Sequence, residues 1–251
     1  ISDSNNTPLF KIDFCSNLKW INDEETFHHT KMLDHEGNIW AGGYLMPHSK
    51  YLISHSKYVK HHQIQYQIKD KDFRDDSITK INSDGKILYK KSIIEILIEN
   101  KIKNINIFGG GMDPIHLNDI EPAFNDTQYW KQGDVFLSIR EQSSIIHYRP
   151  NTNKVINYIT GPFAQQHDVD IISDKEISIF NNNNFIVNNK YSEVIIYNFE
   201  TNEFRTLFND QLQKNNFKTN TDGLSHIFKD MSLMVEEQNH GRIILFNNEG
   251  E

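Results

Sequence analysis

The feature that most constrains the fold is a repeated hairpin pattern. An apolar run, a polar turn and a second apolar run recur along the chain, and each such trio reads as two antiparallel strands. Residues 10–14 and 18–21 flank Cys15-Ser16-Asn17. Residues 78–81 and 87–89 flank Asn82-Ser83-Asp84-Gly85, and 145–148 and 155–159 flank Pro150-Asn151-Thr152-Asn153. Residues 194–199 and 204–207 flank Glu200-Thr201-Asn202-Glu203, and 242–246 begin one more hairpin before Asn247-Asn248-Glu249-Gly250. Asn, Asp and Gly supply the left-handed or side-chain-bonded backbone that tight turns need.

A second set of hairpins lies between these: 29–33 with 38–44, 167–172 with 176–180, 224–228 with 232–235, and a stretched version, 116–120 with 134–139. One inner and one outer hairpin make a four-stranded unit. Units of this kind repeating at roughly 40–50 residues are the signature of β-propeller blades. The expected fold is all-β: a single propeller domain over residues 1–251, seen as about four blades plus fragments, with further blades in an intact parent. Two insertions interrupt the repeat. Residues 45–76 are polar and rich in His, Lys and Tyr, and residues 93–107 open with an apolar run that predicts a short helix. Asn181 to Asn184 reads as a loop.

Composition narrows the function. A net charge of -8 gives no basic face for phosphates, so no nucleic-acid partner is expected. No stretch reaches the roughly 18 apolar residues of a membrane-spanning helix. The start, Ile1-Ser2-Asp3-Ser4, reads as a cut end carrying no targeting signal. The single cysteine, Cys15, excludes an internal disulfide and a thiolate metal cage, and is expected to be a half-buried small side chain. The 12 histidines raise the prior for chemistry, because imidazole titrates near neutral pH.

In a propeller the first strand of each blade lines the central channel, so its starting residues converge at one rim. Alignment of the inner hairpins by their turns puts His29, His116 and His167 at one position in successive blades. In the last blade that position falls near Gly223. Packing does not require imidazoles there, and three in register point to a shared site. Three imidazoles would also suffice for zinc. No carboxylate recurs at a fixed place facing them, so no metal is expected. His116 and Asn118, two apart on a strand, share a face. Arg140 ends the partner strand at the same rim, and its planar fork suits a tetrahedral oxyanion.

These residues resemble the nucleotide-independent arylsulfotransferases, also called arylsulfate sulfotransferases. The resemblance is carried by Phe27-His28-His29 with Asp34-His35-Glu36-Gly37-Asn38-Ile39, by His116-Leu117-Asn118, and by Gly133 to Arg140 with Gln142-Ser143. Gln166-His167-Asp168, Gly241-Arg242 and Glu249-Gly250-Glu251 complete it, in the family's order. It implies a six-bladed propeller in which His167 is transiently sulfated, while His29, His116 and Arg140 surround the sulfuryl group. Asn118 matches the family's asparagine, and with His28 it is expected to bind substrate. The implied reaction moves a sulfuryl group from an aryl sulfate to a phenol in two displacements. It needs neither nucleotide nor metal, and a periplasmic or extracellular compartment is implied. A non-catalytic propeller that binds a ligand or protein, and a metal-dependent propeller hydrolase, are the competing readings.

Overall fold

A computed structural model describes residues 7–45, 74–102, 113–183 and 191–251. They form four antiparallel sheets arranged as propeller blades. The first sheet runs β1 (Thr7–Ile12), β2 (Leu18–Leu33), β3 (Ile39–Tyr44), β4 (Asp76–Ile81) and β5 (Ile87–Ser92), in that order. The second is β6 (Leu117–Pro122), β7 (Val135–Ile139), β8 (Ser144–Arg149) and β9 (Lys154–Ile159). The third is β10 (Val169–Ser173), β11 (Glu176–Asn181), β12 (Glu193–Asn198) and β13 (Glu203–Leu207). The last has β14 (Ser225–Ile227), β15 (Leu233–Glu237) and β16 (Arg242–Phe246).

Both predicted hairpin sets are present. Helix α1 (Ile93–Glu99) occupies the start of the second expected insertion, with the Ser92 hydroxyl accepting from the Glu95 amide at its N-terminus. A second short helix, α2 (Asn209–Lys214), follows β13. The expected insertion at 45–76 and the stretch 103–107 lie almost wholly, and wholly, outside the described residues; of the former, Leu45 and Arg74 to Asp76 are described.

Strand alternation explains how the blades stack, since successive side chains face opposite sides of a sheet. On β7, Val135, Leu137 and Ile139 pack with Trp40, Ile78 and the Ile93, Ile94, Ile96 and Leu97 face of α1, filling the first seam. Phe136, between them in sequence, turns the other way and joins Trp130, Ile145, Ile177, Ile179 and Phe199 in the second seam. Phe180, Val194, Ile196, Leu233 and Val235 fill the third. Carboxylates stitch the same seams. Asp76 Oδ2 accepts the Leu117 amide, Asp119 Oδ2 the Val169 amide and Asp168 Oδ2 the Ser225 amide, each at 3.0 Å.

Strand β2 is long because its first half pairs with β1 and its second half with β3. The β1–β2 hairpin covers the outer face of the first blade through Leu9, Phe27 and Trp20. Cys15 lies in its turn and is exposed, contrary to the half-buried expectation. The tip stands in solvent, and the neighbouring Phe14 is exposed too.

Candidate active site

The rim residues sit at the bulge within β2 and just ahead of β6 and β10, and their backbone is unusual. His29 (φ 52°) and His116 (φ 51°) both take the left-handed conformation, which is uncommon outside glycine, with histidine among the better-tolerated exceptions. In both blades the pairing register shifts at that point, between His28 and Lys31 and between Leu117 and Asp119. A bulge of this kind breaks the strict alternation and re-aims a side chain.

His167 departs from the expected register. The left-handed residue ahead of β10 is Gln165 (φ 53°), and His167 follows two residues later, where its amide donates to the Phe180 carbonyl. Alignment by turns could not detect this, because the offset arises in the non-repeating segment ahead of β10. The rings converge nonetheless. The His29 centroid lies 5.2 Å from that of His116 and 5.6 Å from that of His167.

Each flanking imidazole has its own carboxylate. His116 Nδ1 lies 2.7 Å from Asp113 Oδ2, which Arg74 also contacts at 3.2 Å. Burial pushes the Asp113 carboxyl up, but the hydrogen bond with His116 and the charge of Arg74 outweigh it and leave it below the usual range. His28 Nε2 lies 3.0 Å from Asp76 Oδ1, and its ring stacks on Tyr44 at 4.4 Å. At 2 % exposure His28 meets His29 edge-on and supports it from behind. His167 Nε2 lies 3.6 Å from Asp222 Oδ1, and the imidazole beside it holds the Asp222 carboxyl below its ordinary value. Among the described residues His29 has no such hydrogen-bonded carboxylate. Burial, then the neighbouring His28, His167 and His116, lower its pKa to about 3, so it is neutral at physiological pH.

Arg140 is at the rim, its amide donating to the His116 carbonyl at 3.0 Å. Its guanidinium pairs with Glu141 and reaches Gln165 Oε1 at 3.3 Å. Asn118 is buried and spans a seam: its Nδ2 donates to the Gln166 carbonyl at 2.9 Å, directly ahead of His167, while its Oδ1 is buried without a partner. Gln166 is fixed in turn by donation to Ser138 Oγ and to the Ile139 and Ser144 carbonyls.

Farther along the same inner strands is a cluster of carboxyl side chains, buried at Asp119 and half-buried at Glu121 and Asp170. Asp119 and Glu121 share a face of β6, and Asp170 faces them from β10. Burial raises Asp119 and Asp170 to about 6 each, and burial with the nearby Asp170 and Asp119 raises Glu121 to about 9.

Five residues at this rim escaped the sequence reading: Tyr44, Arg74, Asp76, Asp113 and Asp222. Asp222 was the most legible, because it adjoins Gly223, the position the alignment assigned to the fourth blade. It is itself left-handed (φ 56°), as are His29 and His116.

A sequence profile described as Arylsulfotransferase (ASST) matches residues 1–251. The chain belongs to the arylsulfotransferase family. No curated protein matches the sequence. Among solved structures, this arylsulfotransferase-family chain is similar to a protein of unknown function from Bacteroides caccae, with a TM-score of 0.58, 12% identity, and coverage of 98% of this chain and 73% of that one. It is also similar to a catalytically inactive virginiamycin B lyase from Staphylococcus aureus with quinupristin, with a TM-score of 0.48, 10% identity, and coverage of 100% and 70%. Among the described residues of this family member, no helix is long and apolar enough to cross a membrane.

Proposed function

We propose that the chain transfers a sulfuryl group from an aryl sulfate to a phenol through a sulfohistidine at His167. The observation that carries this reading is the convergence of His29, His116 and His167 from three blades, with Asp222 from a fourth beside His167 Nε2. The charge of Asp222, 3.6 Å from Nε2, favours the tautomer with its proton there and leaves the Nδ1 lone pair for attack.

In the first displacement the His167 nitrogen attacks sulfur, the bond from sulfur to the aryl oxygen breaks, and the phenolate takes a proton from His116, which Asp113 orients. Negative charge spreads over the sulfuryl oxygens. Arg140 answers it by charge, and neutral His29 by donating its single N–H. In the second displacement an acceptor phenol gives its proton to His116 and attacks sulfur, releasing His167. Asn118 and His28 position these groups, the one through the backbone ahead of His167 and the other through the His29 ring.

The test is turnover of a chromogenic aryl sulfate with a phenol acceptor, alongside mass analysis of enzyme quenched without acceptor. The expected product is one added SO3 on the peptide that contains His167. His167→Ala should lose both the adduct and turnover, by about a thousandfold or more. Wild-type turnover in His167→Ala would remove the assignment.

A further inference from the structure

We propose that His29, His167 and Asp222 also form a binding site for a divalent transition-metal ion, with zinc the best match. Each residue offers one ligand atom, and the three atoms all lie within 4.8 Å of one another. The set is the one group of its kind among the described residues. Its members come from three blades: the β2 bulge, the segment ahead of β10 and the segment ahead of β14. No local sequence pattern announces it. The expectation of no metal rested on the lack of a carboxylate facing the histidines, and Asp222 supplies that carboxylate.

The donor set selects the ion. Two imidazoles and one carboxylate suit zinc, and by the same chemistry cobalt or nickel, whereas magnesium and calcium favour all-oxygen cages. Tetrahedral zinc with bonds of about 2.0–2.1 Å places neighbouring ligand atoms about 3.3 Å apart. His167 Nε2 and Asp222 Oδ1, at 3.6 Å, already sit near that spacing. The Nε2 atom is also buried with no hydrogen-bond partner, a deficit that coordination would remove. Three protein ligands leave a fourth position open to water or an exogenous anion.

This site goes beyond the sulfuryl-transfer reading and does not depend on it. The two uses exclude each other, because a metal fixes the ring of the proposed nucleophile and places a cation where its proton would sit. Bound zinc would therefore block transfer, and an aryl sulfate would weaken zinc binding.

The chelator-treated full chain is titrated with zinc chloride by calorimetry, and with cobalt(II) chloride by visible absorption. One saturable zinc per chain and a cobalt spectrum of low coordination number are expected. Asp222→Asn and His167→Ala should each weaken zinc by about tenfold or more. His35→Ala, at an exposed histidine in the β2–β3 turn, at the far end of that hairpin from His29, should bind like wild type. Circular dichroism reports folding of each variant, and Asp222→Asn is the conservative one. No saturable binding, or binding that both Asp222→Asn and His167→Ala leave unchanged, would overturn the site. Transfer that is absent in chelator while zinc still binds counts against the sulfuryl-transfer reading alone. Transfer that proceeds in a chain that binds no zinc counts against the metal site alone.

Discussion

Replacing Glu121 by glutamine should stabilise the protein at alkaline pH and leave it unchanged at acid pH. Glu121 lies among buried carboxyls, its Oε2 has no partner, and burial followed by Asp170 and Asp119 raises its pKa from 4.5 to about 9. A carboxyl with a raised folded pKa contributes its full stability below the unfolded value. That contribution is lost as pH rises through the folded value, here from 4.5 to about 9. At pH 8 the unfolded side chain is ionised while the folded one holds its proton. The gap from the ordinary value, at about 1.36 kcal/mol per pH unit, sets a ceiling of about 5 kcal/mol. Relaxation and water entry reduce such penalties, so about 2 kcal/mol is expected. Glutamine keeps the shape and the acceptor for the Ile171 amide while removing the charge. Urea unfolding of wild type and Glu121→Gln at pH 4.5 and pH 8 measures this directly. Equal midpoints at pH 8, or a stabilisation of the same size at both pH values, would refute the reasoning.

Other perturbations have defined outcomes. Asn118→Ala removes the hydrogen bond to the Gln166 carbonyl and should lower stability by about 1 kcal/mol; in the proposed reaction it should reduce kcat more than KM, which steady-state kinetics will resolve. Asp134→Asn breaks a buried carboxylate's contacts with His147 and Arg149 and should cost about 3 kcal/mol at neutral pH in chemical denaturation. Burial opposes but Arg149 and His147 hold Asp134 below its ordinary 3.8, so this contribution is present above that pH and fades only below it. Trp130→Ala empties a buried site packed edge-on against Phe136 and Phe199 and should cost about 3–5 kcal/mol, read as a lowered Tm.

The blades were legible because their signals are local. Turns such as Asn82 to Gly85 and Asn198 to Asn202 encode themselves through Asx contacts, with Asn82 Oδ1 and Asn198 Oδ1 accepting amides two residues on. Alternation on β7 and β12 then assigns each apolar side chain to a seam. His29 and His116 were legible for the same reason, since each precedes the run that pairs within its blade, His29 at the bulge in β2 and His116 just ahead of β6. The two-residue offset of His167 and the role of Asp222 were not, because both are set in irregular segments whose path depends on packing between blades. Arg140 follows β7 at the rim; its pairing with Glu141 is local, but its reach to Gln165 depends on the neighbouring blade.

The carboxylate stitches have a consequence for how such a chain can change length. The second and third blades each present an acceptor forward, Asp119 or Asp168, and offer an amide backward, Leu117 or Val169. A tandem copy of one of these blades would carry both halves of the joint with it. The joints are not interchangeable, however: Asp76 stands on β4, Asp119 on β6 and Asp168 just ahead of β10, so a duplicated blade would meet its neighbour in a different register. Loss of any one aspartate leaves an amide stranded between two otherwise intact units.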